Sequence, residues 1–238
     1  MRILVVVAHP DDETNGMGGT IARLSKAGHE VQLVVTTTQN RNGDQRKSEI
    51  RAAARIVGIN EPKFLDEPDL GLNVTVEVGE KLGALLDIKP DVVFTLWGID
   101  VHPDHRNTFS LTVDRYLKKG ANTELFCMEL CSSGRSSPLV RPQSLAFIPT
   151  HYVDVTGVIG AKKAMQECHV SQDPCGMWLG VESMLRNRGA EFGVAFAEAF
   201  VRLTRSGEPP QALAEILRPS PWALPRSIGP EFLAEAVT

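Results

Sequence analysis

Two short stretches hold most of the residues in this chain that could do chemistry. Ala-His-Pro-Asp-Asp-Glu (8–13) sets His9 beside Asp11, Asp12 and Glu13, and Asp-Val-His-Pro-Asp-His (100–105) sets His102 and His105 beside Asp100 and Asp104. Imidazole mixed with carboxylate suits zinc or another divalent first-row ion, whereas a calcium cage needs only oxygen. A catalytic zinc takes three protein ligands and leaves a place for water, whose pKa falls from ~15.7 toward ~7. A remaining carboxylate can act as general base, worth ~10²–10⁴-fold, and a spare histidine can steady a developing oxyanion. Either cluster alone is equally well a capped turn, with Asp11 or Asp12 capping the helix that follows. Two His-Pro-Asp clusters at matching places are hard to explain as independent caps.

What places them is the alternation of elements. Ile-Leu-Val-Val-Val (3–7) reads as a strand covered on both faces, followed by a helix over about 16–27 that stops at Ala27-Gly28. A strand over 30–38, a helix over 46–59 closed by Gly58, and a short strand with a loop in 63–72 come next. A helix over 78–91, a strand over 92–97, a helix over about 106–118, and strands near 123–130 and 151–155 continue the pattern. Strands alternating with helices of this length predict an α/β, Rossmann-like doubly wound fold, with a mostly parallel sheet and helices on both faces. Ligands bind such sheets beyond the carboxyl ends of the strands. His9 directly follows one strand and Asp100 another, so the fold should bring the two clusters to one edge.

Composition narrows the rest. At 238 residues with 42% hydrophobic side chains the chain fits one large domain, and no stretch approaches the ~20 apolar residues of a membrane span. A formal charge of −4 gives no broad attraction to nucleic acid or anionic lipid. No GxGxxG follows the first strand, which removes a dinucleotide site. Cys127, Cys131, Cys168 and Cys175 form no CxxC pair and read as reduced thiols, so the expected location is cytoplasmic. Residues 132–143 read as loop. The organisation expected is a domain over 1–205 and a proline-rich C-terminal extension over 206–238.

Ala-His-Pro-Asp-Asp-Glu (8–13) together with His-Pro-Asp-His (102–105) resembles the PIG-L/LmbE family of zinc-dependent N-acetylglucosaminyl deacetylases. Residues 18–31, 46–59, 89–95 and 162–172 resemble further family segments, and 186–200 is similar to the C-terminal helix of the bacillithiol-pathway deacetylases. The resemblance spans about 1–204. It implies that His9, Asp12 and His105 ligate zinc, that Asp11 is the general base, and that His102 polarises the amide oxygen. It also implies that Arg46 reaches the substrate and that Glu49 orients it. Glu13 reads as a partner behind a metal histidine, and Asp100 and Asp104 as residues fixing loop geometry or a histidine tautomer. His169 matches a family position and reads equally as structural; His29 and His151 read as structural. Trp97 reads as core or pocket wall, and Gly18 and Gly19 suggest close backbone approach. The activity implied is removal of the N-acetyl group from a GlcNAc-containing small molecule, releasing acetate and a free amino sugar, in a homo-oligomer. The alternatives are a sugar-binding module without turnover, or a metal hydrolase of another amide or a phosphoester.

Overall fold

The middle one of the five parallel strands carries the continuous apolar run Ile3–Val7. In a computed structural model describing residues 1–85, 89–118, 123–130, 147–203, 213 and 215–220, β1 (Arg2–Val7) lies between β2 (Glu30–Gln39) and β4 (Val92–Leu96). Both pairings are parallel, with Ile3 opposite Val31 on one side and Val92 on the other. With β3 (Lys63–Pro68), β5 (Glu124–Met128), β6 (His151–Asp154), β7 (Ala197–Leu203) and β8 (Arg218–Pro219), the sheet runs β3-β2-β1-β4-β5-β7-β6-β8. The first five strands are parallel; β7 is antiparallel to β5 and β6, and β8 to β6.

Successive side chains of a strand face opposite ways, and β1 shows why a continuous apolar run is needed. Ile3, Val5 and Val7 join Met17, Ile21 and Leu24 of α1 (Asp12–Lys26), with Ile50 of α2 (Gly43–Val57). Leu4 and Val6 join Val78 and Leu82 of α3 (Val76–Leu85) and Leu111 of α4 (Pro103–Lys118). The doubly wound architecture is as the sequence predicts. Two further helices, α5 (Ile159–Glu167) and α6 (Pro174–Phe192), pack with α1 and β7, and Val181 and Leu185 of α6 enter the first core.

The chain winds outward from β1 through β2 to β3, then returns to β4 on the other side of β1. The carboxyl ends of β1 and β4 therefore flank the topological switch point, where open α/β sheets bind ligands. Three details depart from expectation. α1 begins at Asp12 and α4 at Pro103, each a few residues early, which puts Asp12, Glu13 and His105 in first helical turns. Residues 186–200 are not one helix: Gly193, at φ 82°, ends α6, and 197–203 becomes a strand between β5 and β6. The loop expected over 132–143, Cys131 and most of 206–238 lie outside the described residues. Within that extension Leu213, Ile216 and Leu217 are buried in the first core and β8 pairs with β6.

Candidate active site

The chain leaves β1 in a tight turn. The backbone N–H groups of Asp11 and Asp12 both donate to the His9 carbonyl, at 3.0 and 3.3 Å, and the His9 N–H donates to Asp12 Oδ2 at 2.8 Å. α1 starts at once, so Asp12 stands in its first turn, where a carboxylate is favoured by the helix dipole. After β4 the loop is tied by Asp100, which accepts the His102 N–H at 2.7 Å, and by Arg106, whose Nη1 donates to the carbonyls of Asp100 and Val101. Pro103 opens α4, a position where its missing N–H costs nothing.

The two turns meet. His9 Nδ1 and His105 Nε2 are 3.1 Å apart, and the Asp12 carboxylate lies 3.6 Å from the first and 3.5 Å from the second. His102 completes the cluster, its ring centroid 4.6 Å from His9 and 4.7 Å from His105. One ring nitrogen from each of the three histidines falls within 4.8 Å of the others. Tetrahedral zinc with bonds of ~2.0–2.2 Å holds its ligand atoms ~3.3–3.6 Å apart. The His9 and His105 nitrogens are close to that spacing, and the Asp12 carboxylate faces both rings with different oxygens, Oδ2 toward His9 and Oδ1 toward His105.

The far nitrogens are also engaged. His105 Nδ1 lies 2.9 Å from Asp100 Oδ2, and His9 Nε2 lies 3.3 Å from Asp104 Oδ2. Asp104 further accepts the N–H groups of Leu70 at 2.8 Å and Leu72 at 3.3 Å. A carboxylate behind each imidazole fixes its tautomer and turns the other nitrogen toward the cluster. Glu13 does not take this part. It follows Asp12 by one helical step, about 100° around the axis, and instead accepts from Thr14 Oγ1 at 2.7 Å, with His169 Nε2 3.6 Å away. Asp69 takes a part that sequence reading missed: its Oδ1 is 3.4 Å from His9 Nε2, while Asn40 Nδ2 donates to its Oδ2 at 3.0 Å. The available signal was its place just past β3, at the same sheet edge.

Electrostatics follow from this crowding. Burial disfavours a charged His9, yet Asp104, Asp12 and Asp69 outweigh it and lift the ring well above its ordinary value. Burial likewise opposes a charged His105, and Asp12 and Asp100 raise it. Burial and then the two neighbouring rings lower His102. Asp12, despite burial, is held far below the carboxylate range by His105 and His9. Asp11 goes the other way: burial pushes it up to about 6 against the pull of Arg46.

Arg46 lies within this group. It is buried, with Nη2 3.0 Å from Asp11 Oδ1 and 3.4 Å from the Pro10 carbonyl, while Nε finds no partner among the described residues. Glu49 does not orient it. Its carboxylate accepts Ser171 N–H at 3.0 Å, Ser171 Oγ at 2.7 Å and Gln45 Nε2 at 2.9 Å. One helical turn from Arg46, Glu49 is drawn to the 3₁₀ turn over 170–172. Trp97 packs against Phe109 and Phe147, in keeping with a core role.

The model of the PIG-L family, described as GlcNAc-PI de-N-acetylase, matches residues 4–116, which include both histidine clusters, Arg46, Glu49 and Asp69. The chain is 28% identical to a 1D-myo-inositol 2-acetamido-2-deoxy-alpha-D-glucopyranoside deacetylase of Mycobacteroides abscessus, over 72% of this chain and 81% of that protein. It is 26% identical to the diacetylchitobiose deacetylase of Thermococcus kodakarensis, over 81% of this chain and 78% of that one. Among solved structures, the N,N'-diacetylchitobiose deacetylase of Pyrococcus horikoshii superposes with a TM-score of 0.69 at 26% identity, covering 85% of this chain and 83% of its own.

Proposed function

We propose, from the premise that this chain belongs to the PIG-L family, that it hydrolyses the N-acetyl group of a GlcNAc-containing small molecule to acetate and a free amino sugar. The observation that carries the reading is the convergence of the His9, His102 and His105 rings, with the Asp12 carboxylate facing both His9 and His105. His9, Asp12 and His105 would hold a divalent ion, zinc by the mixed nitrogen and oxygen donor set. Such an ion supplies nucleophilic water at neutral pH and polarises the acetyl carbonyl.

The chain's own residues do the remaining work. Arg46 occupies Asp11 Oδ1 and leaves Oδ2 to take the proton of the attacking water. His102 Nδ1 accepts the Asp104 N–H at 3.3 Å, so the neutral ring carries its hydrogen on Nε2 and can donate it to the acetyl oxygen. The proton held by Asp11 then passes to the departing nitrogen, and the C–N bond breaks. Asp100 and Asp104 keep the two ligating rings in the required tautomers. A cytoplasmic homo-oligomer completes this reading, checked by its mass in solution.

The test is release of primary amine from malate-linked GlcNAc, inositol-linked GlcNAc and diacetylchitobiose by the zinc-loaded protein. Amine from at least one, lost on chelation and regained with zinc, supports the reading. A protein that binds zinc and sugar yet releases no amine from any of them is a binding module.

A further inference from the structure

The Gly-Met-Gly-Gly run over 16–19 sits where α1 is not a continuous helix. Met17 has φ −146° and ψ 22°, which breaks the helix one turn after the metal-site residues Asp11 and Asp12. A break orphans carbonyls on its near side and N–H groups on its far side, and these need partners when buried. Here both sides are served by one fully buried ion pair. Lys162 Nζ of α5 donates to the Asn15 carbonyl at 2.9 Å. Glu198 of β7 accepts the N–H of Gly19 at 2.9 Å through Oε1 and that of Thr20 at 2.6 Å through Oε2. Lys162 and Glu198 close on each other at 2.6 Å, with both side chains 0% exposed. Charges are disposed as helix ends favour, the cation at the carbonyl end of the first turn and the carboxylate at the amide end of the next. The glycines admit them: a Cβ on Gly19 would stand 2.7 Å from Val155 Cβ and 3.2 Å from Glu198 Oε1, and one on Gly18 would stand 3.3 Å from Lys162 Cγ.

We infer that Lys162 and Glu198 are positioning residues, a buried clasp that holds α1 broken at Met17 and thereby sets the pose of the turn presenting Asp11 and Asp12. The stretch to be held is short. Asn15 N–H donates to the Asp11 carbonyl at 2.9 Å, so the turn clasped by Lys162 at one end carries the proposed base and ligand at the other. A clasp built only for stability would not need to span a helix break. Two apolar side chains would fill the same space, and replacing a buried ion pair in that way is often neutral or stabilising.

This inference rests on the proposed metal site, and the test separates the two. Lys162→Met and the charge-free pair Lys162→Gln/Glu198→Gln are compared with the parent protein by zinc affinity in chelator competition, by kcat and KM, and by hydrogen exchange. A ~10–100-fold loss of zinc affinity or kcat with KM little changed is expected, as for other residues that orient metal ligands. Exchange should accelerate over 12–20 while β1 and β4 stay protected. If Lys162→Met does not fold, the double variant, which leaves no unpaired buried charge, carries the same readouts. Unchanged zinc affinity, kcat and exchange over 12–20 in a folded variant overturns the clasp. A parent protein that binds no zinc overturns the metal reading instead, and exchange over 12–20 then still decides for or against the clasp.

Discussion

Replacing Asp104 by asparagine removes one charge and half of the acceptor capacity from the carboxylate behind His9. Asp104 is 1% exposed and serves three donors: Leu70 N–H and His9 Nε2 at Oδ2, and Leu72 N–H at Oδ1. An asparagine that keeps its oxygen at the Oδ2 position retains the first two and turns its NH₂ toward Leu72. The bond given up is the longer backbone one, at 3.3 Å. An unsatisfied buried donor costs ~1–3 kcal/mol; this long bond places Asp104→Asn near the low end, about 1 kcal/mol. For a chain of this length that lowers the melting temperature by ~2–4 °C. The effect on the metal is separate. A neutral amide is a weaker acceptor for the His9 Nε2–H than a carboxylate, so Nδ1 becomes less basic, and zinc affinity should fall ~10–100-fold, or ~1.4–2.8 kcal/mol. Thermal melts and chelator competition on one preparation measure the two terms independently. Zinc affinity within twofold of the parent, in a protein that melts as expected, would refute the claim that Asp104 prepares His9 for a cation.

Other consequences are quickly stated. Asp11→Asn should bind zinc and lose ~10²–10⁴-fold in kcat, the usual worth of a general base, as metal analysis with steady-state kinetics would show. His105→Ala should lose the metal itself, and equal zinc loss in both variants would reverse the roles given to Asp11 and His105. A base must be deprotonated to work, so activity should decline as acid protonates Asp11. Burial puts that group at about 6, and a bound cation would lower it further, so the acid limb should lie at or below pH 6; a rate that climbs below pH 5 excludes Asp11. Burial also pushes the Cys127 thiol up to about 12, leaving little thiolate at pH 8. Peptide mapping after alkylation should find Cys127 unmodified in the folded protein while exposed Cys175 reacts.

The legible parts of this molecule are those written in local residue types. Ile3 to Val7, a mostly β-branched apolar run, reads as a strand covered on both sides and becomes β1, which fixes the edge where His9 emerges. Gly28 and Gly58 mark helix ends because both adopt positive φ, 78° and 69°. What local pattern could not tell was decided by partners far away. Ala-Glu-Ala-Phe-Val-Arg-Leu over 197–203 is rich in helix formers, yet it becomes β7 because β5 and β6 both offer it hydrogen-bonding edges. Glu49 is similarly misleading: its spacing from Arg46 suggests a helical pair, but Ser171, remote in sequence, provides a backbone N–H and a hydroxyl together. Asp69 carries no local mark of function and is recruited by the sheet edge it shares with His9.

The same contrast explains why the site is built from both halves of the sheet. The parallel half supplies the proposed ligands, because β1 and β4 end side by side at the switch point and each releases its chain into a helix start. α1 follows the turn at His9 at once, is broken at Met17, and seats Met17, Ile21 and Leu24 in the core. The break at Met17 leaves backbone groups in need of partners, and the antiparallel β7 brings Glu198 to those of Gly19 and Thr20 from the far side of β5. On this account β7 is joined functionally to β1, three strands away across the sheet. A Glu198 variant should therefore disturb the first turn of α1 more than it disturbs the pairing of β7 with β5 and β6, and backbone exchange in those strands, compared within one protein, measures that difference directly.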